Sequence, residues 1–319
     1  MNFPDMSELL QNMRLGFSEG LIEAGEIDPN VVVLCADLAE SIQVDKFAEK
    51  FPERFFETGV AEQNMAGIAA GLALSGKIPF AASYAAFSPG RTYDQIRVSV
   101  AYSGANVKLV GSHAGLTVGP DGATHQMLED IAMLRALPNM TIVVPADRLE
   151  AKKATLALAK HVGPAYLRLS RESVPIVTEE TTPFELGKAN ILQKGSDLTL
   201  IACGVMVYQT MQAADQLRKE GITCDVLAVH TIKPLDEAAI LRSVKKTGAV
   251  VTAEEAQIAG GLGGVVAELL GEHMPVPMCR VGVRDRFGAS GTASELMAAY
   301  GLTSGDILEA AHSVLKRKR

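Results

Sequence analysis

The sequence predicts an α/β protein built from two doubly wound domains, each with a mostly parallel sheet. Two observations carry that expectation. Short, fully apolar runs recur between stretches of helical period along most of the chain, and a polar, proline-bearing stretch separates a longer block from a shorter one. The length agrees, because 319 residues suffice for two domains at about 150 residues each. A hydrophobic share of 48% with 21% charged residues argues against a disordered chain, and 5% aromatics with no Trp fit an Ala-, Gly- and Val-rich α/β core.

In the first block the pattern predicts a helix over residues 7–24, beginning at Ser7, then a buried strand over 31–35. There follow a helix after Glu62, a strand over 78–82, a helix over 91–102 and a strand over 107–111. After a glycine-bearing loop come a helix over 126–137, a strand over 140–144, a helix over 148–161 and a strand over 165–169. Apolar runs that are not alternating indicate strands covered on both faces. Residues 175–187, with Pro175, Glu179, Glu180 and Pro183, form the expected linker between a domain over 1–174 and one over 188–319. The second block carries expected strands at 198–202, 223–229 and 248–252, helices between them, and a helix over 307–317.

Composition narrows the function. The formal net charge is −7, and the one basic cluster, Lys316 to Arg319, reads as a solvated helix end, so a nucleic-acid partner is not expected. Cys35, Cys203, Cys224 and Cys279 lie far apart without metal-ligand spacing, as small core residues in a reducing compartment would. No run approaches the ~18 apolar residues of a membrane span, and the opening Met1-Asn2-Phe3-Pro4-Asp5 has no charged leader. The expected location is the cytoplasm.

Several segments offer chemistry. Glu62, in Gly59-Val60-Ala61-Glu62-Gln63, is followed by Ala66, Gly67, Ala69, Ala70, Gly71 and Ala73, small residues that let a helix press against a neighbour and carry the carboxylate out of water. An unpaired buried carboxylate is costly, so a proton-sharing nitrogen on a ligand would be both partner and task; a first-turn carboxylate favoured by the helix dipole is the alternative. The loop from Gly111 to Gln126 follows a buried strand, where open α/β sheets bind ligands. It brings His113, Asp121 and His125 together with flexible glycines. Tyr84 and Phe87, three apart, offer faces for a flat heterocycle or a core contact on one helical face. Arg14, Arg168 and Arg171 offer bidentate grips on a phosphate or ordinary salt bridges. The run Gly260 to Gly264 precedes a helix, but the acidic pair Glu254-Glu255 before it argues against an anion there.

In order, Ala36-Asp37-Leu38-Ala39-Glu40-Ser41, Gly59 to Gln63, Tyr84 to Phe87, Ser112-His113 with Gly119 to His125, and Leu169-Ser170-Arg171 resemble the C-terminal half of transketolase, the thiamine diphosphate enzyme. The resemblance runs over essentially the whole chain. It implies a pyrimidine-binding domain followed by the smaller transketolase C-terminal domain. By position, Glu62 resembles the glutamate that bonds the cofactor's aminopyrimidine nitrogen, and Phe87 with Tyr84 the aromatics against that ring, while Asp37 is expected beside the cofactor. His113 and His125 resemble the histidines that exchange protons with sugar hydroxyls. Asp121 resembles the residue that reads a hydroxyl near the ketose carbonyl, and Arg14, Ser41 and Arg171 the grip on the sugar phosphate.

The Gly-Asp-Gly motif with which transketolases hold the diphosphate through magnesium does not occur in the 319 residues. The resemblance therefore implies a split enzyme: a separate N-terminal subunit would supply the Mg2+ and diphosphate contacts, in a two-plus-two heterotetramer, and no metal ligand is assigned to this chain. Pro120, Ala123, Tyr84 and Ala114 depart from the usual residues, which leaves open a deoxyxylulose-phosphate synthase-like condensation or an unusual sugar. The β subunit of a 2-oxoacid dehydrogenase and a non-catalytic regulatory subunit are the rival expectations.

Overall fold

The computed structural model describes residues 10–318, so the expected helix start at Ser7 lies outside the described residues. Where that helix would continue, the chain forms a short strand, β1 (Leu10–Asn12). The Asn12 side chain then caps the Arg14 N–H and delays the first helix, α1, to Met13–Ile27. The order continues β2 (Val31–Cys35), α2 (Ala39–Ile42), α3 (Asp45–Lys50), β3 (Phe55–Glu57), α4 (Glu62–Leu74) and β4 (Ile78–Tyr84). Next come α5 (Tyr93–Gln95), which runs on as a π-helix over Ile96–Tyr102, then β5 (Lys108–Ser112), α6 (Asp130–Arg135), β6 (Thr141–Val143), α7 (Arg148–Lys160), β7 (Ala165–Arg168) and β8 (Ser173–Pro175). The second block holds β9 (Asn190–Gln193), β10 (Leu198–Ala202), α8 (Met206–Lys219), β11 (Cys224–Ala228), β12 (Thr231–Lys233) and α9 (Glu237–Thr247). It ends with β13 (Val250–Gln257), α10 (Leu262–His273), β14 (Met278–Val283), α11 (Ala293–Ala299) and α12 (Ser304–Arg317).

The larger sheet runs β12-β6-β7-β5-β4-β2-β3, parallel except at β12, and the smaller runs β14-β13-β10-β11-β9, parallel except at β9. The central strands β2, β5, β10 and β11 are buried at every residue, as helices on both faces require. On one face of the larger sheet Phe17 and Leu21 of α1 and Ala151 and Leu158 of α7 pack on Val33, Phe80 and Val110; on the other, Met65 and Ala69 of α4 pack with Ile96, Val100 and Leu109. The expected doubly wound architecture is therefore present in both blocks.

Three departures bear on the site. The helix expected over 126–137 shrinks to Asp130–Arg135, because Gln126 is spent tying a loop together. β12, from the second block, pairs antiparallel with β6 and so extends the larger sheet. The stretch over 175–187 is anchored to α7: Asp147 accepts from the Thr178 N–H and hydroxyl, and Lys153 Nζ donates to the Glu179 and Thr182 carbonyls.

Candidate active site

Five loops leave the carboxyl ends of β7, β5, β4, β2 and β3, which lie side by side in that order. Adjacent strands are ~4.8 Å apart, so these loops converge. The expected site residues ride on these loops or the helices that follow, except Tyr84, which ends β4, and Arg14, which enters from the first turn of α1.

The centre is a stack of rings. Tyr84, the last residue of β4, lies 3.8 Å from the His113 ring at 23° and 5.8 Å from Phe87 at 19°. His125 meets both aromatics edge-on, at 6.4 Å from Tyr84 and 5.4 Å from Phe87. The two aromatics thus share no helical face; Tyr84 closes a strand and Phe87 sits in the turn after it. Ser41 Oγ and the Tyr84 hydroxyl share a hydrogen bond of 2.6 Å. Arg14 crosses above, its Nη1 donating to the Ser41 carbonyl and its Nη2 to the Arg171 carbonyl. Arg171 donates in turn to the Val118 carbonyl and stands 3.8 Å from Asp121.

His113 is buried and takes a left-handed backbone (φ 54°) that aims its ring into the stack. Burial, and after it the Arg14, Arg171 and His125 charges, pull its pKa down to about 3, so the imidazole is neutral near pH 7. Its Nδ1 shares a hydrogen bond with Ser112 Oγ, and His125 Nδ1 one with Thr124 Oγ1, each at 2.9 Å.

Glu62 opens α4, a helix without a side-chain cap, and there burial and the first-turn position coincide, the carboxylate being only 2% exposed. Its partner is Arg91, whose Nη1 lies 2.8 Å from Oε2 and whose guanidinium lies 4.7 Å from the Phe87 ring centre. Sequence reasoning missed Arg91, although it stands four residues after Phe87. Asp37 lies apart from the ring stack, in an open cleft of about 400 Å3 lined by Asp37, Leu38, Ser41 and Glu57, with its N–H on Glu57 Oε1. Ser41 is common to that cleft and the stack.

The phosphate clamp expected of Arg168 is corrected. Its Nε donates to Asp130 at 2.8 Å, its Nη2 donates to the Glu255 and Met127 carbonyls, and the Tyr166 hydroxyl shares the same Asp130 oxygen, all out of water. The glycine run before α10 binds no outside anion either, because Glu254 fills that helix N-terminus, accepting from the Leu262 and Gly263 N–H groups at 2.7 and 2.8 Å. Sequence reasoning also missed Glu255 as a support of the site. Its carboxylate accepts from the Thr117 N–H at 2.6 Å and fills the space beside Gly115, where a Cβ would meet it at 2.4 Å. Gln126 Nε2 donates to the carbonyls of Leu116, Gly119 and Ala289, so the second block holds the loop that carries Asp121 and His125.

A buried carboxylate, an aromatic face and a planar cation already resting on both match the size and polarity of an aminopyrimidine, and the residues fit the pyrimidine half of a thiamine-type cofactor. Among the described residues no group of three or more His, Cys, Asp or Glu is arranged to hold a metal ion, and no helix is long and apolar enough to cross a membrane.

These features define a two-domain, doubly wound α/β chain with a ring-lined site at its strand ends. Residues 11–177 match the model of the transketolase pyrimidine binding domain and residues 187–307 that of the transketolase C-terminal domain, and the chain belongs to the transketolase family. That family uses thiamine diphosphate with a divalent metal. It is similar to the 6-deoxy-6-sulfo-D-fructose transketolase subunit SqwH of Clostridium sp. (strain MSTE9), 46% identical over 100% of this chain and 99% of that protein. An apulose-4-phosphate transketolase subunit of Phocaeicola vulgatus is 41% identical over 95% of this chain and 97% of its own length. A solved structure described as a split gene transketolase, inactive beta4 tetramer, superimposes with a TM-score of 0.91 at 44% identity, covering 97% of this chain and 99% of that one.

Proposed function

We propose that this chain is the pyrimidine-side subunit of a split transketolase, which moves a two-carbon ketol unit between sugar phosphates together with a separate diphosphate-binding subunit. The observation that carries the reading is the buried Glu62 carboxylate beside the Phe87–Tyr84–His113–His125 stack. In this reading Glu62 shares a proton with the pyrimidine nitrogen, and Phe87 and Tyr84 hold the ring plane, with Asp37 flanking the cofactor. The bound cofactor supplies the carbanion chemistry that breaks and forms a carbon–carbon bond beside a carbonyl. His113, neutral near pH 7, and His125 exchange protons with the sugar hydroxyls, and Asp121 reads a hydroxyl near the ketose carbonyl. Arg171, Arg14 and Ser41 grip the distal phosphate.

The domain division over 1–174 and 188–319 and the cytoplasmic location are parts of the same proposal. A heterotetramer of two subunits of each kind suits α4, whose Gly67 and Gly71 face open space beside the exposed Ile68 and Leu74. Mg2+ and its ligands are assigned to the partner. The test is ketol transfer from xylulose 5-phosphate to ribose 5-phosphate, with thiamine diphosphate and Mg2+, for each subunit alone and for the two mixed. Activity only in the mixture, lost in Glu62→Ala, is the expected result. Full activity of this chain alone overturns the split. A mixture that accepts pyruvate but not ketose phosphates as donor favours the synthase-like reading.

A further inference from the structure

Arg91 touches both groups assigned to the pyrimidine. Its Nη1 donates to the buried Glu62 carboxylate at 2.8 Å while its guanidinium lies over the Phe87 ring at 4.7 Å. A guanidinium is flat, cationic and rich in N–H donors, so it makes the same pair of contacts as an aminopyrimidine: a hydrogen bond to the carboxylate and a face on the ring. A flat ligand laid on the same face of Phe87 and bonded to the same Glu62 oxygen takes the place that the guanidinium holds. The side chain is also free to leave, since it is 49% exposed while Glu62 is 2% exposed. Among the described residues no further hydrogen bond or ion pair retains the guanidinium; the Arg91 backbone carbonyl accepts from Gln63 Nε2 at 3.4 Å, which holds the turn and not the side chain.

We propose that Arg91 is a positioning residue that occupies the pyrimidine berth in the free subunit, pairs the otherwise unpaired Glu62, and swings out to solvent when the cofactor enters. The inference rests on the reading of Glu62 and Phe87 as the pyrimidine contacts. It explains how a subunit made apart from its diphosphate-binding partner keeps a buried carboxylate satisfied. Cofactor binding then exchanges one flat partner of Glu62 for another.

The experiment compares wild type, Arg91→Met, which keeps the aliphatic stem over Phe87, and Arg91→Lys, each mixed with the diphosphate-binding subunit. Thiamine diphosphate affinity is read by calorimetry in Mg2+, and thermal stability by melting with and without cofactor. Without its competitor the cofactor should bind Arg91→Met about tenfold more tightly, equivalent to ~1.4 kcal/mol. The same variant should melt lower than wild type without cofactor and gain more on adding it. Arg91→Lys, which keeps the charge but loses the plane, should fall between. A merely structural arginine would lower melting in both states and leave affinity unchanged. Wild type that binds thiamine diphosphate while a folded Arg91→Met binds it no more tightly overturns the placeholder role alone. Absence of binding by every mixture overturns the pyrimidine reading of Glu62 and Phe87 together with it.

Discussion

The network of Tyr166, Asp130, Arg168 and Glu255 lends itself to a sharp perturbation, because it ties the two blocks together beneath the site. Asp130 accepts at 2.8 Å from Arg168 Nε and at 2.7 Å from the Tyr166 hydroxyl, and all three residues are sealed from water. Arg168 reaches across to the Glu255 carbonyl on β13, and the Glu255 carboxylate in turn holds Thr117 in the loop that carries Asp121 and His125. Burial pushes the Tyr166 hydroxyl well above its usual range, with the Asp130 charge acting in the same direction, so it stays a donor throughout the working pH range. Asp130→Asn keeps the shape and removes the charge, leaving the guanidinium buried against a neutral amide. Breaking one side of a buried pair costs about 3–5 kcal/mol. At roughly 2–4 °C per kcal/mol for domains of this size, the melting temperature should fall by about 6–20 °C. Scanning calorimetry measures it. The double replacement Asp130→Leu with Arg168→Met removes both charges, and should lose at least ~2 kcal/mol less than the two single losses added together. A single-variant shift below about 2 °C, or simple additivity in the cycle, would refute the view that this pair is buried and mutually dependent.

Other outcomes follow from the same contacts. Gly261 has an ordinary backbone, yet a Cβ there would lie 1.9 Å from Glu254 Oε2, so Gly261→Ala should displace that carboxylate from the α10 N-terminus and cost about 2–4 kcal/mol in denaturant titration. Folding depresses the His113 pKa to about 3 from 6.5, so between those values the unfolded chain binds the extra proton and stability falls as pH drops. The slope from this one group approaches ~1.4 kcal/mol per pH unit, and His113→Gln should flatten the acid limb in urea titrations at stepped pH by up to that amount. On the proposed grip of Arg171 on the distal phosphate, Arg171→Ala in the mixed enzyme should raise KM for phosphorylated sugars about 10- to 100-fold with a smaller change in kcat, read by steady-state kinetics.

Local features, and the order in which they follow one another, were legible in the sequence. Residues such as Val31 to Leu34 form a short, largely β-branched run suited to a strand covered on both faces, and strands read that way land in parallel sheets. Glu62, with small residues after it, was legible as a buried helix-start carboxylate because burial and dipole are both local consequences of the segment. Tertiary structure alone decided what these groups touch. Whether Tyr84 stacks on His113, or Arg91 pairs Glu62, depends on which strands become neighbours, and that order is set by the packing of the whole sheet. Arg14, Arg168 and Arg171 look alike in a sequence. Burial beside Asp130 makes Arg168 structural, while positions near the strand ends leave Arg14 and Arg171 at the site, because an arginine's role follows from the carboxylates and the water it meets after folding. β12 shows the same limit: three residues of the second block complete the edge of the first sheet, a pairing between residues about 90 apart that no local pattern encodes.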